Sequence, residues 1–367
     1  MKATARLHEV GQSLWLDNIT RTMLADGTLR SYIEELSVTG LTSNPTIFDK
    51  AISAGEAYDA QIAEVAAGAD AGEGVGANAD ERIFFELAIA DLRDAADLFG
   101  GVHERTVGVD GFVSLEVSPL LADDAEATIE QVARLHAKAE RDNIFIKIPG
   151  TEAGREAIEE SIFAGVPVNV TLLFDDKQYI RAADAYMRGI ERRIEAGLDP
   201  DVASVASIFI SRWDVAVADQ VPAELHNRLG IAIGGRAYRA YRELLDSDRW
   251  LRLANEGARA QRLLWASTGT KDPNASDTLY VEAFASPFTV NTMPDPTLKA
   301  FADHGQVGDL LPVDGGNSEQ VLAEFDRAGI DVAALAARLQ EEGKASFAKS
   351  WDGMLKAISS QRGVAAG

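Results

Sequence analysis

The sequence predicts an α/β protein, a (β/α)8 TIM barrel with helical insertions and a C-terminal helical extension. Short apolar segments recur eight times along the chain, and most are followed by an amphipathic helical pattern. Strands that alternate with helices in this way form βαβ units, whose strands are parallel. Eight such units close a barrel, and a chain of 367 residues fits a barrel with insertions. We therefore expect one barrel domain over residues 1–367.

The predicted strands are apolar runs that are often rich in β-branched residues. The interval between the last two strands, 269–277, is too short for a regular helix, so we expect the final unit to be truncated. The eight predicted strands are 13–19, 38–44, 111–117, 143–149, 167–174, 204–210, 262–268 and 278–284.

The predicted helices between the strands have ordinary start and stop residues. Thr151 caps a helix that Gly165 ends, and Asp175 or Asp176 starts another that Gly197 closes. After the second strand, an apolar stripe at helical spacing predicts a helix packed on the barrel. The stripe consists of Ile83, Phe84, Leu87, Leu92 and Phe99.

Three further regions lie outside the regular units. Residues 68–80, rich in glycine, alanine and acidic residues, predict a surface loop inside the second crossover. A long insertion with helical patterns, 213–257, separates the sixth and seventh strands. Beyond the last strand, residues 296–367 predict a helical extension packed on the barrel. Its helical patterns cover 321–328, 332–340 and 347–358.

The composition limits the partners and the compartment. A net charge of −23 argues against nucleic acid or an anionic membrane as partner, because both need a basic face. A phosphorylated substrate stays open, since a few local cations can bind it. The chain has no cysteine, which excludes disulfides and thiolate chemistry and fits the cytoplasm. No signal core and no run of about 18 apolar residues is present, so we expect no membrane span.

Lys147 is the most informative residue of the predicted strands. It stands alone in the apolar run NIFIKIP, and period-two alternation puts it with Phe145 on the inward face. Burying an ammonium is unfavourable, so such a lysine tends to lose its proton or to find a carboxylate. A neutral amine in an apolar cavity is what a Schiff-base nucleophile requires. The alternative is a strand-end lysine that snorkels to solvent or pairs with a neighbouring acid.

Polar residues also stand near the carboxyl ends of the other predicted strands, where the side chains of a barrel meet in one mouth. Asn169 and Thr171 are two positions apart and must face the same side, as must Ser207 and Phe209. Their joint position at one end of successive strands is a stronger signal for a site than any single member. The set is Asp17, Asn44, Glu116, Asn169, Thr171, Ser207, Arg212 and Ser267.

Several of these residues also have an ordinary structural interpretation. Asp17 is able to cap the following helix, and Asn44 precedes a proline, as at many helix starts. Glu116 is a natural ion-pair partner for Lys147. Arg212 could merely stack beside the tryptophan that follows it.

Other chemistries have little support in the sequence. The histidines are scattered without ligand spacing, which disfavours a zinc site. No dinucleotide-binding glycine fingerprint follows the first strand, and no G-x-S-x-G elbow is present. We identify no thiamine or pyridoxal motif. The histidines are His8, His103, His136, His226 and His304.

The motifs around the polar residues resemble those of the transaldolase family over about residues 14–284. In order, they are WLDNI, GLTSNPTIF, SLEVSP, IKIPGTEAG, VNVTLLF, SIFISRWD and WAST. The resemblance implies a transferase of the pentose phosphate pathway with a class I Schiff-base mechanism, no cofactor and no metal. Lys147 would attack the ketone of sedoheptulose 7-phosphate. The dihydroxyacetone unit would then pass to glyceraldehyde 3-phosphate, giving erythrose 4-phosphate and fructose 6-phosphate.

The resemblance also implies roles for the other polar residues. Asp17 would take the C4 hydroxyl proton during carbon–carbon cleavage, while Glu116 with Thr171 would hold a proton-shuttling water. Asn44 and Asn169 would bind the dihydroxyacetone hydroxyls. Ser207 would help to orient this unit, and Arg212 and Ser267 would hold the terminal phosphate. Phe209 and Lys271 complete the substrate-binding set.

The sequence departs from the family pattern at the phosphate site. The family carries an arginine two positions after its equivalent of Ser267, where this chain has Gly269. Lys271 is nearby and is expected to substitute, as a point charge rather than a planar fork.

Two rival functions remain beside transfer. One is a sugar-phosphate aldolase that releases free dihydroxyacetone, and the other is a non-catalytic sugar-phosphate-binding protein. The resembling aldolases typically carry glutamine at the position of Glu116, and simple binding needs neither Lys147 nor the two acids. Transfer is therefore favoured, by a monomer or a homodimer.

Overall fold

The computed structural model describes residues 1–69 and 79–365, and in them eight parallel strands close into a barrel. The strands follow chain order around the barrel, and the last pairs with the first. The predicted (β/α)8 barrel is therefore confirmed. The strands are β1 (Ser13–Asp17), β2 (Val38–Thr42), β3 (Val113–Glu116), β4 (Ile144–Pro149), β5 (Val168–Leu173), β6 (Ser204–Phe209), β7 (Arg262–Ala266) and β8 (Val290–Met293).

Helices surround the barrel and connect its strands. They are α1 (Ala3–Glu9), α2 (Arg21–Ala25), α3 (Thr28–Glu35), α4 (Pro45–Ser53), α5 (Asp59–Ala69), α6 (Ala79–Arg105), α7 (Ala125–Ala139), α8 (Glu152–Phe163), α9 (Asp176–Glu195), α10 (Ser211–Val217), α11 (Leu229–Leu245), α12 (Asp248–Asn255), α13 (Leu279–Ala283), α14 (Asp295–His304), α15 (Ser318–Arg327) and α16 (Val332–Ala365). Among the described residues, no helix combines the length and apolar character that crossing a membrane requires.

The predicted eighth strand is wrong. Residues 278–284 contain the short helix α13, and β8 lies further along the chain. The apolar side chains of Tyr280 and Phe284 are buried against the barrel, which explains the apolar run. β8 has only four residues, two of them the polar Asn291 and Thr292, so its own pattern is weak. Since α13 lies between β7 and β8, the expected short connection 269–277 is also wrong.

The predicted helix signals are confirmed. Thr151 and Asp175 cap α8 and α9 by accepting backbone N–H bonds. Gly165 and Gly197 follow these helices with φ of +86° and +68°, a conformation that glycine adopts without strain. The predicted apolar stripe is buried on α6. Of the predicted loop 68–80, the ends belong to α5 and α6, and 70–78 lies outside the described residues.

Two buried clusters make up the core. One fills the space between the barrel and its helices, and the other includes the barrel interior. In the interior, Phe145 stacks on Phe112 at a centroid distance of 4.1 Å and lies 6.0 Å from the ring of Trp15. Large rings thus fill the barrel below the level of Lys147, which confirms the predicted inward face of β4.

The C-terminal part crosses the outside of the barrel near the strand ends. The two patterns predicted at 332–340 and 347–358 belong to one helix, α16, which packs against α4, α5 and α6. Trp351 of α16 meets the rings of Phe84 and Phe85 at 5.0 and 5.7 Å. α14 packs on α1 and β1.

Candidate active site

Lys147 lies at the centre of a row of polar side chains on neighbouring strands. Glu116 on β3 and Asn169 on β5 are its register partners. Lys147 is only 5% exposed, and its Nζ lies 3.0 Å from Glu116 Oε2 and donates to the Ser43 carbonyl at 3.0 Å. The lysine therefore does not reach solvent; it is a buried amine beside a carboxylate.

Glu116 is held in an environment that disfavours its charge. Burial raises the pKa of its carboxyl group, and the positive charge of Lys147 opposes this shift. Within the described residues, Glu116 Oε1 and the buried hydroxyl of Thr171 have no hydrogen-bond partner. Buried polar atoms without partners are rare, and beside a buried amine these two are available to a substrate or a water molecule.

Asp17 lies across the mouth, at the carboxyl end of β1. Its Oδ1 accepts a hydrogen bond of 2.7 Å from Thr42, whose hydroxyl also contacts Thr292 at 2.7 Å. Thr20 caps the following helix, so the capping interpretation of Asp17 does not hold. Burial raises the pKa of Asp17, opposed first by the charge of Lys147 and then by the bond from Thr42. Asp17 is thus within electrostatic reach of the lysine.

The two asparagines of the site, Asn169 and Asn44, differ in their hydrogen-bond partners. Asn169 is fully buried, donates to Ser114 Oγ at 3.1 Å and accepts from Ser207 Oγ at 2.8 Å. Asn44 accepts from the Ile47 backbone N–H at 3.0 Å, so it does cap α4. The Nδ2 of Asn44 makes no hydrogen bond to any described residue.

Arg212 is the second residue of α10, just beyond β6. Its guanidinium lies over the ring of Phe209 at 5.0 Å and that of Phe347 at 5.8 Å. It makes no hydrogen bond or ion pair within the described part of the chain. Burial lowers the pKa of Arg212, and the acids Glu116, Glu342 and Asp17 oppose this shift. The interpretation of Arg212 as a residue stacked on its neighbouring tryptophan is therefore wrong.

The remaining two predicted residues lie around Arg212. Lys271 lines the same cleft as Arg212, with a volume of about 470 Å³. Ser267 has φ of +56°, and its Oγ contacts Ser211 Oγ at 2.9 Å. The structure therefore gathers all the predicted site residues at the carboxyl ends of the strands.

Four residues of the site were not predicted: Thr42, Ser43, Ser114 and Thr292. Thr42 and Ser114 stand two positions before Asn44 and Glu116, so strict period-two alternation was a signal that could have identified them. Ser43 contributes its carbonyl oxygen, which carries no side-chain signal. Thr292 belongs to the strand whose position was wrong.

The acids and histidines do not form a metal-binding group in the described part of the chain. Across residues 1–69 and 79–365, no three of these side chains converge in the manner of a metal site. The charged atoms nearest one another at the mouth are those of Lys147 and Glu116. The arrangement can therefore supply a nucleophilic amine, a neighbouring proton acceptor and, through Arg212, an anion-binding group.

The whole chain is similar in sequence to proteins of one known family. The family model described as transaldolase/fructose-6-phosphate aldolase matches residues 14–358. A protein named transaldolase from Parafrankia sp. (strain EAN1pec) is 43% identical, over 100% of this chain and 99% of its own. Those from Frankia alni and Mycobacterium tuberculosis (strain ATCC 25618 / H37Rv) are 42% and 43% identical, over 98% and 96% of this chain and 97% and 95% of theirs. The chain belongs to the transaldolase/fructose-6-phosphate aldolase family.

Proposed function

We propose that this chain is a cytoplasmic transaldolase acting on sugar phosphates through a Schiff base on Lys147. It transfers a dihydroxyacetone unit from sedoheptulose 7-phosphate to glyceraldehyde 3-phosphate, giving erythrose 4-phosphate and fructose 6-phosphate. The observation that carries this proposal is the buried amine of Lys147, 3.0 Å from the Glu116 carboxylate at the mouth of the barrel. The relatives named transaldolase support transfer as the reaction.

The first half of the proposed reaction loads the donor onto the lysine. The neutral Nζ of Lys147 attacks the ketone carbon, and the carbinolamine then loses water to give a protonated imine. Glu116 and Thr171 assist the proton transfers, through the polar atoms that other residues leave free. Burial raises the pKa of Glu116, so this carboxyl group is suited to accept and to return a proton.

The second half breaks and remakes a carbon–carbon bond. Asp17 takes the C4 hydroxyl proton and the C3–C4 bond breaks, so that erythrose 4-phosphate leaves as the aldehyde and the electron pair of the broken bond moves into the imine to give an enamine. The raised pKa of Asp17 suits a base that must also return the proton. The enamine then attacks the aldehyde carbon of glyceraldehyde 3-phosphate, and hydrolysis releases fructose 6-phosphate.

Substrate binding is assigned to the residues that line the mouth. Asn44 and Asn169 bind the hydroxyls of the three-carbon unit, with Ser207 holding Asn169 in place through its 2.8 Å bond. The ring of Phe209 faces the guanidinium of Arg212 at 5.0 Å and helps to hold it in place.

Lys271 is proposed to replace the arginine that the family carries at Gly269. A Cβ atom at Gly269 would lie 3.7 Å from Lys271 Nζ, so the amine reaches the space beside this position. Together with Arg212 and Ser267, it would bind the terminal phosphate.

The proposal is tested by distinguishing transfer from release. Fructose 6-phosphate is incubated with and without erythrose 4-phosphate, and sedoheptulose 7-phosphate and free dihydroxyacetone are quantified. We expect sedoheptulose 7-phosphate in the presence of the acceptor and little free dihydroxyacetone in either case. A Lys147→Met variant is the control and should form neither. Release of dihydroxyacetone without acceptor, at a rate comparable with transfer, would instead make the chain an aldolase.

A further inference from the structure

The helix α16 passes directly beside the cleft that contains Arg212 and Lys271. Leu339 and Glu342 of α16 line this cleft together with both cations. We propose that α16 forms one wall of the phosphate subsite and that Phe347 on α16 is a positioning residue for Arg212. This inference rests on the proposed function, because the anion it concerns is the phosphate of the substrate.

Arg212 is held by aromatic faces and has no polar partner among the described residues. Phe209 and Phe347 lie 5.0 and 5.8 Å from its guanidinium carbon. An aromatic face attracts a guanidinium without occupying its N–H groups, whereas a carboxylate partner would occupy them. All five donors of Arg212 are therefore left for an anion. Phe347 is itself only 3% exposed, so its ring cannot move away freely.

Two further features, at Gln340 and Gly343, hold α16 close to the carboxyl ends of the barrel strands. Gln340 Nε2 donates to the Leu172 carbonyl, near the end of β5, at 2.9 Å. It also donates to the Gly150 carbonyl, just after β4, at 3.3 Å. A Cβ atom at Gly343 would lie 2.9 Å from Leu172 Cδ2 and 3.2 Å from Arg212 Nη1. The absence of a side chain at Gly343 thus permits the close approach of α16 to the arginine.

Glu342 gives the same wall a negative charge. It lines the cleft with Arg212 and Lys271, and its carboxylate is 3.5 Å from Arg338 on its own helix. Its charge attracts the cations but repels an incoming phosphate. Phe347 and Glu342 should therefore affect phosphate binding in opposite directions.

The test compares phosphorylated and unphosphorylated ligands on four variants. Phe347→Leu, Phe347→Tyr and Glu342→Gln are compared with Phe325→Leu, a matched change at a buried ring of α15. Among the described residues, the rings that face the Arg212 guanidinium are those of Phe209 and Phe347. The measurements are KM for fructose 6-phosphate, the dissociation constant of inorganic phosphate by calorimetry, and the rate of borohydride trapping with dihydroxyacetone.

The Phe347 and Glu342 variants should change phosphate binding in opposite directions, and Phe347→Leu should not affect the reaction with unphosphorylated dihydroxyacetone. Phe347→Leu should raise KM and the phosphate dissociation constant roughly two- to tenfold, while kcat and dihydroxyacetone trapping stay near wild type. Phe347→Tyr keeps the aromatic face and should restore wild-type values. Glu342→Gln should lower both constants, and Phe325→Leu should leave them unchanged.

Other results would overturn the inference in distinguishable ways. If Phe347→Leu impairs dihydroxyacetone trapping as much as use of fructose 6-phosphate, or if Phe325→Leu has the same effect, the ring has only a structural role. If both Phe347→Leu and Glu342→Gln leave phosphate binding unchanged, α16 is not a wall of the subsite. Failure of the proposed function would appear separately, as absence of transfer and of trapping in the wild type.

Discussion

Two buried carboxylates at opposite ends of the barrel, Asp110 and Glu116, differ in how completely their oxygens are hydrogen-bonded. At the amino-terminal end, Asp110 accepts hydrogen bonds from Ser13 Oγ, from Trp15 Nε1 at 2.8 Å and from the Gly111 N–H at 3.0 Å. Arg262 donates to Ser13 Oγ at 2.7 Å and lies 3.7 Å from the Asp110 carboxylate. Every oxygen of this carboxylate thus has a partner, and the cluster ties the start of β1 to the approach to β3.

At the carboxyl-terminal end, some buried polar atoms have no partner. Among the described residues, Glu116 Oε1 and Thr171 Oγ1 have none, and the contacts of the Arg212 guanidinium are with aromatic rings. Burial raises the pKa of both Asp17 and Glu116. A satisfied cluster stabilises the fold, while an unsatisfied one costs stability and is retained where chemistry requires it. The comparison predicts that changes at the two ends will separate activity from stability.

The largest effect is expected for Asp17→Asn at the mouth. The amide cannot take the C4 hydroxyl proton, so turnover should fall about 10²–10⁴-fold. Removal of a buried carboxylate whose charged form is disfavoured should leave the free energy of unfolding unchanged or raise it. Steady-state turnover and urea unfolding measure the two effects. Borohydride trapping with a ketose phosphate detects the adduct on Lys147. If the three-carbon adduct accumulates in the variant at the wild-type rate, carbon–carbon cleavage does not depend on Asp17.

The next largest effect is expected for Arg212→Ala. Loss of charge-assisted hydrogen bonds worth roughly 1.5–3 kcal/mol should lower kcat/KM for phosphorylated donors about 10- to 150-fold. Dihydroxyacetone has no phosphate and should form its imine as in the wild type. If the substitution impairs the use of phosphorylated donors and imine formation with dihydroxyacetone equally, Arg212 has only a structural role at the mouth.

The opposite result is expected for Asp110→Asn at the amino-terminal end. One acceptor oxygen is replaced by a donor that faces other donors, so the free energy of unfolding should fall by about 1–3 kcal/mol. Turnover per folded molecule should stay at the wild-type value, because the mouth is not touched. If Asp110→Asn lowers turnover but leaves the free energy of unfolding unchanged, the proposed difference between the two ends is wrong.

The smallest effect is expected at Asp214, a satisfied carboxylate on α10. Its oxygens accept from the backbone N–H groups of Leu229 and Gly230 and from the hydroxyl of Tyr280 at 2.8 Å. Burial nevertheless raises the pKa of Asp214 to about 6, against the pull of these bonds. The folded state therefore binds this proton more tightly than the unfolded state does. The resulting contribution to stability is present below about pH 4 and is lost as the pH rises through about 6.

Asp214→Asn removes this titration. The difference in unfolding free energy between the wild type and the variant should shift against the wild type as the pH rises from about 4 to 7. Urea unfolding at closely spaced pH values measures the slope. A difference that stays constant with pH would show that Asp214 titrates alike in the folded and unfolded states.

Much of the fold could be predicted because buried parallel strands are near-continuous apolar runs. This held for seven strands and failed for β8, whose middle residues Asn291 and Thr292 are polar. Both are buried within the barrel, and Thr268 donates to Asn291 Oδ1 at 3.0 Å. The position of β8 is therefore decided by contacts with β7 and β1, which a local pattern does not contain. The polar stretch around Gly343 likewise hid the continuity of α16.

The candidate site could be predicted where a single polar residue interrupts an apolar strand. Lys147 and Glu116 are the clearest examples, and the structure brings them within 3.0 Å of each other. The serine and threonine residues that hold the site together are a weaker signal, because these residue types are common in strands and loops. For Thr42 and Ser114, the signal is their period-two spacing from Asn44 and Glu116. The contact of Phe347 with Arg212 could not be predicted, since the two residues are far apart in the sequence.

The central proposal is that the buried amine of Lys147 forms the covalent imine. The most direct measurement is borohydride reduction of the protein with dihydroxyacetone, followed by intact-protein mass spectrometry and peptide mapping. We predict one three-carbon label per chain, on the peptide that contains Lys147, and no label in a Lys147→Met variant that unfolds cooperatively like the wild type. A label on another lysine, such as Lys271 or Lys177, or an undiminished label in the variant, would contradict the proposal.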